Sequence, residues 1–272
     1  MTITTAPTSS STDTARAVLD AAFPGGLGAF IDGKVVPGNG ESITLTAAAT
    51  GAPFATYADP GAEGARDILE SSVRGAAAWG ALNGFERAAI LRNVSRTLEA
   101  HAEELAILES ATTGKPIRDA RVEAAKVAEM FGYYSGWADK LTGQTIPVPG
   151  SWHTYTERVP WGVVVAITPW NAPMFTAGWN SAAPLAAGNA VIIKPSEFTP
   201  ASTIRVAQLA HEAGLPDGVF NVAPGLGQTV GAALTSDRRV GKVSFIGSVP
   251  TGRRVAVAAA QAGIPALLDL GG

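Results

Sequence analysis

Five short apolar runs rich in β-branched residues fill the second half of this 272-residue chain: VVVAI (163–167), AVIIK (190–194), VFNVA (219–223), KVSFI (242–246) and ALLDL (266–270). Between them lie Ala-rich, helix-compatible stretches such as ASTIRVAQLAHEAG (201–214). A strand that is apolar along its whole length needs cover on both faces. Such strands alternating with helices build a parallel sheet between helical layers, an α/β doubly wound fold. This pattern constrains the chain more than any other feature of the sequence.

The first half reads differently. AFIDGKVVPG (29–38) predicts a short strand or hairpin with a Gly turn. From about Pro60 to Lys140 the apolar residues adopt a helical period: Ile90, Leu91, Val94, Leu98, Leu105 and Leu108 recur at three- and four-residue steps. TGKP (113–116) interrupts this pattern before a second helical stretch. In 143–160 two alternating segments flank Pro149-Gly150-Ser151, a hairpin arm with Trp152 and Tyr155 on it. The expected organisation is a disordered tail over 1–20, a helical layer over 21–142, the arm over 143–160 and a βαβ core over 161–272.

Composition narrows the function. A formal net charge of −3 offers nucleic acid or an anionic membrane no electrostatic attraction, and no apolar run reaches the ~18 residues of a membrane span. The Ser/Thr-rich start has its first basic residue at Arg16 and no apolar core, unlike a secretory or transit leader; a cytoplasmic location is expected. The chain has no cysteine, so disulfides, thiolate metal sites and thiol catalysis are excluded within it. His101, His153 and His211 fall on separate predicted elements, without ligand spacing for a metal. No G-x-S-x-G elbow or Walker loop occurs.

In open α/β sheets ligands bind outside the carboxyl ends of the strands, so the segments after each strand hold the candidate chemistry. The first strand runs into TPWNAPM (168–174), where Asn171 either bonds its own loop or offers an amide donor to a developing oxyanion. The second runs into KPSE, where Lys194 and Glu197 form either a surface ion pair or a donor and acceptor for ribose hydroxyls. After the third come Gly225, Gly227 and Gly231, near the dinucleotide fingerprint but one residue too long at the last spacing. The fourth leads through Gly247 to Ser248, an N-cap with Pro250 just inside the helix, whose free N–H groups suit a phosphate. The fifth carries Asp269 between Leu268 and Leu270; in a buried strand an unpaired carboxylate there is costly.

Taken in order, ITPWNAP, GNAVIIKPSEFTP, EAGLPDGVFNVAPGLG, FIGSVPTGR and LDLGG, with LESATTGKP in support, resemble the first half of an aldehyde dehydrogenase. The resemblance runs from about FIDGKVV to the last residue. It implies a doubly wound NAD-binding domain, residues 143–160 as an oligomerisation arm giving a homo-dimer or homo-tetramer, and a small-molecule aldehyde as substrate. Asn171 would be the oxyanion-hole amide and Asp269 would stand where the family places its general base. The cofactor would be held by Ile167, Thr168, Pro169 and Trp170, by Lys194, Ser196 and Glu197, by Gly225 and Gly227, by Phe245, Gly247, Ser248, Thr251 and Gly252, and by Leu270. A carboxylate at Glu197 accepts from a free 2′-hydroxyl and repels a 2′-phosphate, so NAD is favoured over NADP. Two departures stand out: Ile246 replaces the threonine of the family's FTGS, and Asp269 replaces the glutamate of LELGG, one methylene shorter. The family's cysteine nucleophile lies beyond LELGG, so the expectation is the amino-terminal portion of such an enzyme, its catalytic domain absent and the 272 residues inactive alone. The alternative expectation is an inactive dinucleotide-binding or assembly module.

Overall fold

The computed structural model describes residues 8–271. Its first element, α1 (Thr8–Ala22), corrects the expected tail: residues from Thr8 onward are helical, and the rest of that expectation lies outside the described residues. The cause is a stripe at four-residue spacing, Ala15, Leu19 and Phe23, all buried. The stripe packs α1 onto a helix of the layer that follows.

The region 21–142 is not purely helical. The hairpin β1 (Ala29–Ile31) and β2 (Lys34–Val36) comes first, then a separate hairpin of β3 (Ser42–Thr46) and β4 (Pro53–Ala58). Four helices follow: α2 (Gly61–Gly80), α3 (Gly84–Ala100), α4 (Ala102–Thr113) and α5 (Ile117–Ser135). Asn83 and Glu86 form a reciprocal capping box at the start of α3. Gly114 caps α4 in the left-handed conformation, which is why TGKP ends the helical period. The arm consists of β5 (Thr145–Ile146) and β6 (Thr154–Tyr155), paired antiparallel, with Trp152 and Tyr155 exposed on it.

The core then alternates as its sequence predicts: β7 (Val163–Ile167), α6 (Pro173–Ala186), β8 (Ala190–Lys194), α7 (Ala201–Glu212), β9 (Phe220–Val222), α8 (Ala232–Thr235), β10 (Val240–Gly247), α9 (Val249–Ala262) and β11 (Ala266–Leu270). A π-helical turn, Gly227–Gly231, leads into α8. The sheet has seven strands in the order β11-β10-β7-β8-β9-β1-β2. The first four pairings are parallel, while β1 joins β9 antiparallel. The β1–β2 hairpin therefore extends the main sheet.

Side chains of successive strand residues enter two different cores. Val165 and Ile192 pack with Ile68, Leu69 and Val255 on one face, while Ala166, Val191 and Ile193 pack with Leu98, Phe131 and Leu185 on the other. Burial on both faces is the doubly wound arrangement. Trp79 is fully buried and its indole Nε1 donates to Leu185 O at 2.8 Å, tying α2 to α6. Among the described residues no helix is long and apolar enough to cross a membrane.

The winding direction fixes where a ligand can enter. From β7 the chain proceeds outward to β8 and β9, then returns to lay β10 against the other side of β7. Order reverses at β7, so the loops after β7 and β10 diverge and leave a crevice at the carboxyl edge.

Candidate active site

Register brings the strand ends level. Ile167 pairs with Lys194 on one side and with Phe245 on the other, and Gly247 pairs with Leu270. Four of the segments singled out in the sequence thus meet at one edge of the sheet.

Lys194 is the most constrained of them. It is 3% exposed, and its Nζ donates to Pro195 O at 2.9 Å. Among the described residues that is one bond for three N–H donors in a buried position. Burial lowers its pKa to about 8, against the pull of the carboxylates of Glu197 and Asp59. Glu197 is half-buried and accepts from Ser196 Oγ at 3.4 Å. Among the described residues the two form no ion pair within contact distance, so the surface-pair reading of KPSE does not hold: the lysine is interior and its Nζ donates to Pro195 O.

The β7 loop lies beside this one. Thr168 N donates to Lys194 O at 3.0 Å, and Thr199 Oγ1 donates to Trp170 O at 3.1 Å. Thr168 Oγ1 is buried without a hydrogen-bond partner among the described residues. Trp170 and Asn171 are exposed. Asn171 makes none of the loop hydrogen bonds seen among the described residues, unlike a turn asparagine fastened to its own backbone.

Across the crevice Ser248 takes the N-cap position of α9 with Pro250 in the first turn, but its hydroxyl does not cap the backbone; Oγ donates to Thr251 Oγ1 at 3.1 Å. The first-turn amides of α9 are left without a side-chain acceptor, an arrangement suited to an anion. Gly252 permits close helix–strand packing: a Cβ there would strike Leu270.

Two sequence readings change. Asp269 is not in a buried strand: β11 is the edge strand, and both Leu267 and Asp269 are exposed. A strand with one neighbour is covered on fewer sides, so the desolvation argument for this carboxylate falls away. Gly225 does more than admit a flat ligand. Its φ of +134° and the Asp59 Oδ1 that a Cβ would meet both restrict the position to glycine.

Asp59 and Tyr57, on and just after β4, were not legible as site residues. Asp59 is buried, accepts from Gly61 N at 3.0 Å and from Thr229 Oγ1 at 2.6 Å, and so fastens the glycine loop after β9 to the start of α2. Tyr57 OH donates to Glu197 O at 3.0 Å; burial, with Glu197 and Asp59 nearby, raises its pKa. The only sequence signal was DPG at a helix start, which speaks of a cap and not of a partner 170 residues away.

A family model described as "Aldehyde dehydrogenase family" matches residues 35–272. The chain belongs to the aldehyde dehydrogenase family. Its match to betaine aldehyde dehydrogenase of Cereibacter sphaeroides is 43% identical over 245 residues, covering 89% of this chain and 50% of that protein. PnpE of Pseudomonas sp. WBC-3, solved in complex with nicotinamide adenine dinucleotide, aligns with a TM-score of 0.88 and 40% identity over 90% of this chain and 51% of its own. The NAD+ complex of the Bacillus cereus aldehyde dehydrogenase gives a TM-score of 0.89 and 33% identity, covering 93% and 52%. This aldehyde dehydrogenase family chain spans about half the length of the relatives it matches.

Proposed function

We propose that this chain forms the cofactor-holding part of an enzyme that uses NAD to oxidise a small-molecule aldehyde to a carboxylic acid. The observation that carries this reading is Lys194, a buried ammonium with unused donors at the end of β8, three residues from a half-buried carboxylate and next to β7, where the order of a doubly wound sheet reverses. The orphaned Thr168 hydroxyl and the uncapped first turn of α9 also fit a ligand with hydroxyl and phosphate groups. Lys194 and Glu197 would hold a ribose, and Ser248 with the α9 amides the pyrophosphate. NAD, when bound, supplies the acceptor for a hydride.

The chain's own residues then have distinct tasks. The Asn171 amide, exposed and unbonded to its loop, donates to the oxygen of the reacting carbonyl and steadies its negative charge. Asp269 takes a proton from the water that releases the acid, in the position where the family has glutamate. The covalent step needs a thiol, and these 272 residues contain none. The exposed arm, with Trp152 and Tyr155, is a self-association surface for a homo-dimer or homo-tetramer, and the protein works in the cytoplasm.

Titration of the chain with NADH and NADPH tests the cofactor reading. NADH should bind at least about tenfold tighter, the scale of one unfavourable charge contact, and Glu197→Gln should narrow the gap. Equal binding of the two by the unmodified chain would refute the preference. No aldehyde-dependent NADH formation is expected from the 272 residues alone, and its appearance would refute the need for an external thiol.

A further inference from the structure

Glu109, in the last turns of α4, has no role in the chemistry above, yet it acts on the helices that follow both cofactor loops. It is fully buried. Its Oε2 accepts from Ser202 Oγ, in the first turn of α7, at 2.5 Å. Its Oε1 has no hydrogen-bond partner among the described residues and lies 3.7 Å from Lys115 Nζ, which is itself hydrogen-bonded to Glu123. The Met174 amide, in the first turn of α6, also acts on the carboxyl and favours its charge. Helix α6 has no side-chain cap of its own, since Ala172 occupies its N-cap and Pro173 its first turn.

One carboxyl therefore bonds the first turn of α7 and feels the first-turn amide of α6. Helix α6 follows the loop with Thr168, Trp170 and Asn171, and α7 follows the loop with Lys194, Ser196 and Glu197. The loops are joined by the Thr199–Trp170 hydrogen bond, and Glu109 acts on the helices that follow them. A buried acid with one oxygen unbonded is costly to keep for packing alone. We propose that Glu109 is a positioning residue: ionised, it draws the first turns of α6 and α7 together and sets the spacing of the two cofactor loops, and its protonation loosens them and weakens NAD binding.

The charged groups that face Glu109 are Lys115, from the α4–α5 turn, and Glu123, from α5; α6 and α7 contribute the Met174 amide and the Ser202 hydroxyl, which do not titrate. Burial raises the Glu109 pKa to about 7, against Ser202, Lys115 and Met174, so the change falls near neutrality. The inference rests on the cofactor reading, and two measurements separate them. In the first, NADH affinity of the 272-residue chain is followed from pH 7.5 to 5.5. It should weaken about tenfold, the scale of a hydrogen bond to a charged group, and Glu109→Gln should bind weakly and without pH dependence. In the second, amide hydrogen exchange is compared without ligand. Glu109→Gln should accelerate exchange at 168–175 and 199–203 alone.

Unchanged exchange in those two segments, or a pH dependence that survives Glu109→Gln, overturns the proposal. Absence of NADH binding in both proteins overturns the cofactor reading, while exchange still decides the role of Glu109 in loop spacing. If Glu109→Gln does not fold, Ser202→Ala removes the same link from α7. It should accelerate exchange at 199–203 and shift the pH midpoint of NADH binding upward; no effect on either overturns the proposal.

Discussion

Replacing Lys194 by methionine should make this protein more stable and less able to bind its cofactor. The side chain is enclosed, with its Nζ bonded among the described residues only to Pro195 O, and burial lowers its pKa from 10.5 to about 8. That shift corresponds to roughly 3 kcal/mol against the charged form in the folded chain. Between pH 8 and 10.5 the unfolded chain holds a proton that the folded chain has released, so stability rises with pH through this window. Below pH 8 the penalty is present in full. Methionine keeps the apolar stem and removes the charge, but it forfeits the Pro195 bond, about 1 kcal/mol, and the attraction of the nearby Glu197 and Asp59 carboxylates. The net expectation is a gain of about 1–2 kcal/mol at pH 7. Urea unfolding at pH 7 and pH 10 measures it: the unmodified chain should be more stable at the higher pH, and Lys194→Met should lose that slope. NADH affinity should fall roughly 10- to 100-fold with the loss of a charged donor. A variant that is less stable at pH 7, or that retains either the slope or the affinity, would refute the argument that Lys194 is held at a cost for binding.

Two further substitutions test neighbouring parts of the site. Gly225→Ala should cost about 1–3 kcal/mol in urea unfolding, since φ is +134° and the new Cβ meets Asp59; a neutral result would mean that the loop after β9 yields easily. Asn171→Ala should leave unfolding free energy within about 0.5 kcal/mol of the unmodified chain, because Asn171 is exposed and makes no loop hydrogen bond seen among the described residues. A loss above about 1 kcal/mol would return Asn171 to the role of a turn residue.

The parts legible in the sequence were those set by local pattern. Continuous apolar runs announced β7, β8 and β10 because burial on both faces demands them, while Pro169 and Gly225 marked loops and Pro250 a helix start through backbone geometry alone. What escaped depended on distance in the chain. Helix α1 was hidden in a polar segment whose three buried residues matter only once α4 is there to cover them. Asp59 became a site residue through Thr229 and Gly225, and Glu109 through Ser202 and Met174, contacts that no spacing rule reports. Asp269 was misplaced for the complementary reason: ALLDL looks like a central strand, but edge position is a property of sheet order. The same holds for β1, whose short run gave no hint that it would pair with β9.

The central claim is that one cofactor spans the carboxyl edge of this sheet from the β8 loop to α9. Amide hydrogen exchange of the chain with and without saturating NADH tests that placement directly. Protection should appear together in 194–197 and 245–253, on both sides of the crevice at β7. Protection confined to one side, or in segments remote from that edge, would contradict it.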